Sequence, residues 1–233
     1  MKPLQRKKAD DENLVLHEDS DILICHKPAG LAVQTKQLTQ KDLESILKSR
    51  AASSSHTCLS VINRLDQPVE GLILFAKNKK AAADLSAQLT HNTLHKEYLA
   101  ISSAVPECPE QTLTDYLVRD GRQNRSYVID VSESCAFEKI NAKQAKLHYK
   151  VLKVLDNHAL LKIQLMTGRH HQIRVQMCHI NAPLLGDSKY GGSENPQLCL
   201  CSHRLSFLHP SSRTPMDFTV FPKNPTFAAF LYE

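Results

Sequence analysis

The chain has 233 residues, a formal net charge of +5, 42% hydrophobic and 23% charged residues, and no low-complexity tract. Such a chain is long enough to bury roughly 70–75% of its unfolded surface, and its proportions are those of an ordinary globule. No run approaches the roughly 18 apolar residues that cross a bilayer, and Met1–Lys8 lacks the apolar core of a secretion signal. An odd number of cysteines, seven, suits free thiols in a reducing compartment, so a cytoplasmic location is expected. The mild positive charge permits an RNA or DNA partner without demanding one.

Residues 1–12 are charged and poor in apolar side chains, which predicts a disordered or loosely docked tail. Leu14–Leu16 and Asp21–Cys25 read as two short strands around an acidic turn, ended by Lys27-Pro28-Ala29-Gly30. A short helix is predicted over residues 42–51, with Asp42 as cap and Leu43, Ile46 and Leu47 on one face. A Ser-rich link follows over residues 51–57. The stretch Val61–Phe75 then climbs through an apolar run to Arg64-Leu65-Asp66, breaks at Pro68 and Gly71, and resumes as a second apolar run. Pro cannot donate to a sheet ladder and Gly relaxes the backbone, so the prediction is strand, turn, strand. Asp66 sits at the mouth of that turn with Arg64 two residues away. Alone, this is a surface hairpin with a solvated ion pair.

Asn78 is placed as the N-cap of a helix running to about Thr90. His95–Ile101 reads as a strand with Lys96, Tyr98 and Ala100 on one face. Residues 104–140 give little signal and are expected to be irregular, with Arg119, Arg122 and Arg125 as either surface charge or phosphate contacts. Residues 142–155 and 159–166 alternate as a hairpin about Asp156-Asn157. Gly168-Arg169-His170-His171-Gln172-Ile173-Arg174 opens an amphipathic helix on Ile173, Met177 and Ile180. Cations at a helix N-terminus are unfavourable alone, so phosphate or carboxylate is expected beside them. Two strands, 198–208 and 216–221, and a short terminal helix end the chain. Cys199, Cys201 and His203 share a strand face, but the spacing does not fit structural zinc, and no metal is expected.

The motifs Arg64-Leu65-Asp66 with Gly71, Lys96-x-Tyr98, Gly168–Arg174 and Leu185-Gly186-Asp187-x-x-Tyr190-Gly191 resemble, in order, those of the RluA-type pseudouridine synthases. The resemblance extends over about residues 14–222. It implies an α+β catalytic domain over residues 13–233, with a long, mixed, mostly antiparallel sheet bent around a central cleft and flanked by helices. A similar Lys-Pro-x-Gly segment opens the family's catalytic domain, so no S4-like RNA-binding domain is expected ahead of it. It further implies that Asp66 is catalytic, that Tyr98 lies against the target base, and that Arg174 pairs with Asp66. A guanidinium beside a half-enclosed carboxylate keeps it ionised and aimed. Arg64 could fill the gap left by a flipped base, and Arg169, His171 and Gln172 are assigned to substrate binding. The chain departs from the family pattern at Asn63, where His is common, and at Val69-Glu70, where Thr-Ser is usual. Glu70 is expected to bring a negative charge close to the RNA.

One carboxylate without a partner acid favours nucleophilic or general-base work at a sugar–base bond over ordinary glycoside hydrolysis, which uses two. No cofactor is expected. The expected partner is ribosomal or transfer RNA, with no membrane or protein partner and a monomeric state. A non-catalytic RNA-binding module and a base-excising hydrolase are the alternatives. The module would have no use for Asp66, Tyr98 and Arg174 together, and the hydrolase would release free uracil.

Overall fold

Eleven strands share one sheet in the computed structural model, which describes residues 14–35, 41–51, 59–129 and 141–232. The expected N-terminal tail and the Ser-rich link beyond Ala51 lie outside these residues. The strands are β1 (Val15–Glu18), β2 (Ile22–Lys27), β3 (Ser60–Val61), β4 (Glu70–Ala76), β5 (His95–Ser102), β6 (Glu110–Asp120), β7 (Arg125–Ile129), β8 (Lys143–Leu155), β9 (His158–Leu165), β10 (Leu200–Leu208) and β11 (Pro215–Thr219). Their spatial order is β1-β2-β4-β10-β5-β9-β8-β6-β7, with β3 against β4 and β11 against β10. Among the described residues four α-helices accompany the sheet: α1 (Leu43–Ala51), α2 (Lys79–Thr90), α3 (Gln172–His179) and α4 (Ala228–Leu231). The mixed, mostly antiparallel α+β architecture expected from the sequence is therefore present.

Strands β2 and β4 are buried along their whole length, because both faces are covered. Ile73 and Phe75 point into the main core with Leu23, Cys25 and Tyr98. Leu72 and Leu74 pack on the other face against Ala81 and Leu85 of α2. Asn78 caps α2 as predicted, its Oδ1 accepting the Ala81 N–H at 2.8 Å. Asp42 does the same for α1, accepting from the Ser45 N–H at 2.8 Å. Asp156 and Asn157 take positive φ values of 47° and 62°, the conformation that a two-residue hairpin between β8 and β9 requires.

The parallel pair β4–β10 is the junction between two antiparallel halves, and it involves Glu70–Cys201 and Gly71–Ser202. Gly71 belongs to β4 itself and does not break the chain before it. Its φ is +119°, and a Cβ there would collide with the Ser202 backbone, so only glycine lets β10 approach. The expected first strand also shrinks: β3 is two residues long, and residues 62–69 form a loop.

Residues 110–129 are not irregular. They form β6 and β7, a hairpin closed over Gly121–Asn124. Within β6 only Leu113 and Leu117 are buried, so the apolar alternation is too sparse to read. Its order comes from eight backbone-paired positions along β8 instead. Residues 130–140 lie outside the described residues.

Candidate active site

The loop that carries Asp66 is held from three directions. Asn63, buried, donates from Nδ2 to the Leu72 carbonyl at 3.1 Å and accepts the Leu74 N–H at 2.8 Å, so its amide imitates one more residue of sheet. A histidine ring cannot present a donor and an acceptor side by side in this way, which gives the departure at Asn63 a structural reason. Lys27, fully buried, donates to the carbonyls of Pro28, Leu31 and Gln67 at 2.9, 2.8 and 3.1 Å. The Gly30 N–H also reaches the Gln67 carbonyl, at 2.9 Å. The Lys-Pro-Ala-Gly turn is thus clamped to the residue after Asp66. Burial pushes the Lys27 ammonium down to about 8, while Asp66 and Glu70 push it back up.

Across from this loop stands α3, whose Arg174 side chain is 7% exposed. Its Nε and Nη2 donate to the two oxygens of Asp187 at 2.7 Å each, a bidentate pair with a fully buried carboxylate. Nη1 remains for Asp66, 3.4 Å away. The expected Arg174–Asp66 pair is therefore present, but Asp187 is the stronger partner. Burial opposes the charge on Arg174, yet the bonds and charge of Asp187, with Asp66 behind them, hold its pKa above the ordinary value. The anion sought at this cationic helix start is thus supplied largely from within the chain. The helix is also enclosed on every side, Gln172–Met177 all being buried, rather than amphipathic.

His171 occupies the left-handed region at φ 53°, as the cap residue of α3, and this turns its ring towards the site. Nε2 lies 3.5 Å from Asp66 Oδ2, and Nδ1 lies 2.8 Å from the Tyr190 hydroxyl. Burial first, then the charge of Arg174, pushes the His171 imidazole down to about 3. Tyr190 Oη in turn accepts the Ser126 N–H of β7 at 2.8 Å, and the Arg174 guanidinium lies 5.2 Å from the centre of its ring. Asp66 itself is 30% exposed, open enough for an entering ligand.

Tyr98 lies on β5, two strands from the Asp66 loop, and only 5% of it is exposed. Burial raises its phenol well above the ordinary range, and the Asp66 charge pushes the same way, so it keeps its proton. Arg64 is exposed on the loop beside Asp66. Arg169 is exposed too, with Nε donating to the Gln144 carbonyl at 2.8 Å. Gln172 turns inward, its Oε1 accepting from the Thr167 hydroxyl at 2.8 Å and the Arg169 N–H at 3.0 Å, and so shapes the loop before α3.

Glu70 does not bring its charge to the surface. It is 2% exposed and accepts the backbone N–H groups of Lys223 and Asn224 at 3.1 and 3.2 Å. Its charge is spent on fixing the C-terminal segment, because a carboxylate that caps two N–H groups is satisfied inside the protein. Arg125 is likewise committed, bonding the Lys189 carbonyl and lying over the Tyr190 ring at 5.2 Å.

The structure thus brings Arg174 and His171 within 3.5 Å of Asp66, while Tyr98 stays buried on β5, close enough to feel the Asp66 charge. Asp187, Tyr190 and Ser126 complete the cluster, and they received no role from the sequence. Among the described residues no group of three His, Cys, Asp or Glu side chains is placed to hold a metal ion. Nor is any helix there long and apolar enough to cross a membrane. Of the two carboxylates here, Asp187 is fully buried against Arg174 and Asp66 is part-exposed, so Asp66 is the one placed to act as nucleophile or base, with the guanidinium beside it to stabilise charge.

The sheet is that of the pseudouridine synthases. A solved structure of human RNA pseudouridylate synthase domain containing 4 aligns at a TM-score of 0.75 with 21% identity, covering 92% of each chain. The family model for RNA pseudouridylate synthases matches residues 21–179, and the chain belongs to that family, whose members are isomerases acting on RNA. An uncharacterized RNA pseudouridine synthase of Mycoplasma genitalium is 29% identical over 93% of this chain and 68% of its own length. Ribosomal large subunit pseudouridine synthase D of Buchnera aphidicola is 30% identical over 88% of this chain and 69% of its own. The chain spans about two thirds of the length of the curated relatives it matches.

Proposed function

We propose that this chain isomerises uridine to pseudouridine within RNA, with Asp66 as the reacting carboxylate. The observation that carries the proposal is the half-open Asp66 carboxylate, held against Arg174 and His171 on a loop clamped by Asn63 and Lys27. A uridine flipped from the RNA stack would enter over Asp66, with Arg64 at the rim to take its place. The N1–C1′ bond breaks, the uracil turns, C5 joins C1′, and the C5 proton leaves as N1 gains one. Asp66 can open this sequence by attacking the base, attacking the sugar, or removing the 2′ proton. Tyr98 would lie against the base, while Arg169, His171 and Gln172 order the surrounding loop and substrate. The reaction is redox-neutral and moves no group from outside, so the reading needs no cofactor.

Ribosomal RNA is the substrate class we favour, since the Buchnera relative is named for the large ribosomal subunit. Cys108, Cys178, Cys199 and Cys201 are free thiols, which suits the cytoplasm. We further read the protein as a monomer. RNA labelled with tritium at uridine C5, prepared from the source cell, provides the test. Wild-type protein should release tritium, and Asp66→Asn should abolish release while binding RNA within a few-fold of wild type. Free uracil in place of pseudouridine would mark a hydrolase, and no release at all would end the isomerase reading.

A further inference from the structure

The hydrogen bonds around Tyr190 favour one arrangement for its proton. The backbone N–H of Ser126 can only donate, so Tyr190 Oη accepts there at 2.8 Å. Its own hydrogen is then free to be donated, and His171 Nδ1 lies in reach, also at 2.8 Å. A ring nitrogen that accepts cannot carry the proton of a neutral imidazole, so that proton sits on Nε2. Nε2 is the nitrogen facing Asp66, 3.5 Å from Oδ2. The opposite tautomer would aim a lone pair at the carboxylate and set two donors, Nδ1–H and O–H, against each other.

We propose that Tyr190 is a positioning residue that locks His171 as the neutral Nε2–H tautomer and so points an N–H towards Asp66 without adding a second positive charge. The inference rests on Asp66 being the reacting group. Its value lies in the charge count of the cluster. Arg174 carries one positive charge and is already matched by Asp187 through two 2.7 Å bonds. With His171 neutral, the negative charge of Asp66 is oriented but not cancelled, and it keeps its strength as nucleophile or base. A cationic His171 would form a second full ion pair and blunt it. The surroundings keep the ring neutral as well. It is buried, and Arg174 of α3, His170, Lys189 and Arg119 of β6 all press against protonation, while the carboxylates facing the cluster, Asp66 at 3.5 Å and Asp187 beyond Arg174, press the other way. Burial also raises the Tyr190 phenol, so its hydrogen stays available.

The decisive experiment is nitrogen NMR of protein labelled with 15N in its histidine rings, with His171 assigned by the signal lost in His171→Gln. Wild type at pH 7 should show a protonated Nε2 and an unprotonated Nδ1 at His171. In Tyr190→Phe the ring should lose that single tautomer, and turnover in the tritium assay should fall about ten-fold, the scale of one buried hydrogen bond. Its acid limb should move to higher pH, because removing a donor to Nδ1 favours protonation there. An Nδ1–H or doubly protonated ring in wild type overturns the proposal, even if the variant does not fold. So does an unaltered tautomer in Tyr190→Phe, or a shifted tautomer with unchanged turnover. Failure of the isomerase reading is visible separately, as no tritium release from wild type, and leaves the ring spectrum to decide the tautomer.

Discussion

Asp187 carries the clearest consequence for a single side chain. It is a fully buried carboxylate whose two oxygens both bond Arg174. Asp187→Asn would leave a buried guanidinium with Asp66 as its remaining charged partner, and should destabilise the fold by about 3 kcal/mol or more. Urea unfolding measures that loss. The tritium assay should show a further drop in turnover, as Arg174 is no longer held. Asn63→Ala removes two bonds to β4 and leaves a buried N–H and a carbonyl unmet, for about 1–3 kcal/mol. The sequence singled out Asp66, Tyr98 and Arg174 because their spacing matched a known order of motifs, and the Arg174–Asp66 contact it implied is present. Asp187 and Tyr190 stood in a motif just as plainly, yet their roles were hidden. Each acts on another side chain rather than on substrate, and one of the contacts that defines Tyr190 comes from a backbone N–H on β7. Glu70 misled for the opposite reason: a charged residue beside a motif looked exposed, while its partners lay more than 150 positions away in sequence.

At the level of secondary structure, the β4–β10 contact is the most exacting. Gly71→Ala would place a methyl group into the Ser202 backbone and force φ +119° on a residue with a side chain. Strain and overpacking together should cost about 3 kcal/mol or more, read as a fall in melting temperature. Gly121 has open space around it and is the matched control, so Gly121→Ala should leave that temperature nearly unchanged. Elements with strong local signals were legible: the Asn78-capped α2, the Asp156-Asn157 hairpin and the buried runs of β2 and β4. Strand β6 was not, because its pairing with β8 supplies an order that its own polar surface does not announce. Helix α3 was placed correctly but taken for a one-sided helix, since Arg174 and Gln176 look like a polar face and are in fact enclosed.

For the molecule as a whole, acid should be the weak side. Burial, then Lys223 and Lys27, pushes His26 from its ordinary 6.5 to about 4, and His171 falls to about 3. Between those values and 6.5 the unfolded chain binds more protons than the native one, so stability falls as pH drops through that window. The combined loss should be on the order of a few kcal/mol by pH 4. Chemical denaturation at pH 7, 5.5 and 4 measures it, and His26→Asn should flatten part of the slope. The β6–β7 hairpin, at one end of the sheet order, also reaches the residues around Asp66. Ser126 gives its N–H to Tyr190 and its hydroxyl hydrogen to the His170 carbonyl, at 2.8 and 2.9 Å. A peripheral ribbon wired in this way ties the outer edge of the sheet to the Asp66 cluster: any displacement of β7 would carry the Tyr190 hydroxyl and the loop ahead of α3 along with it.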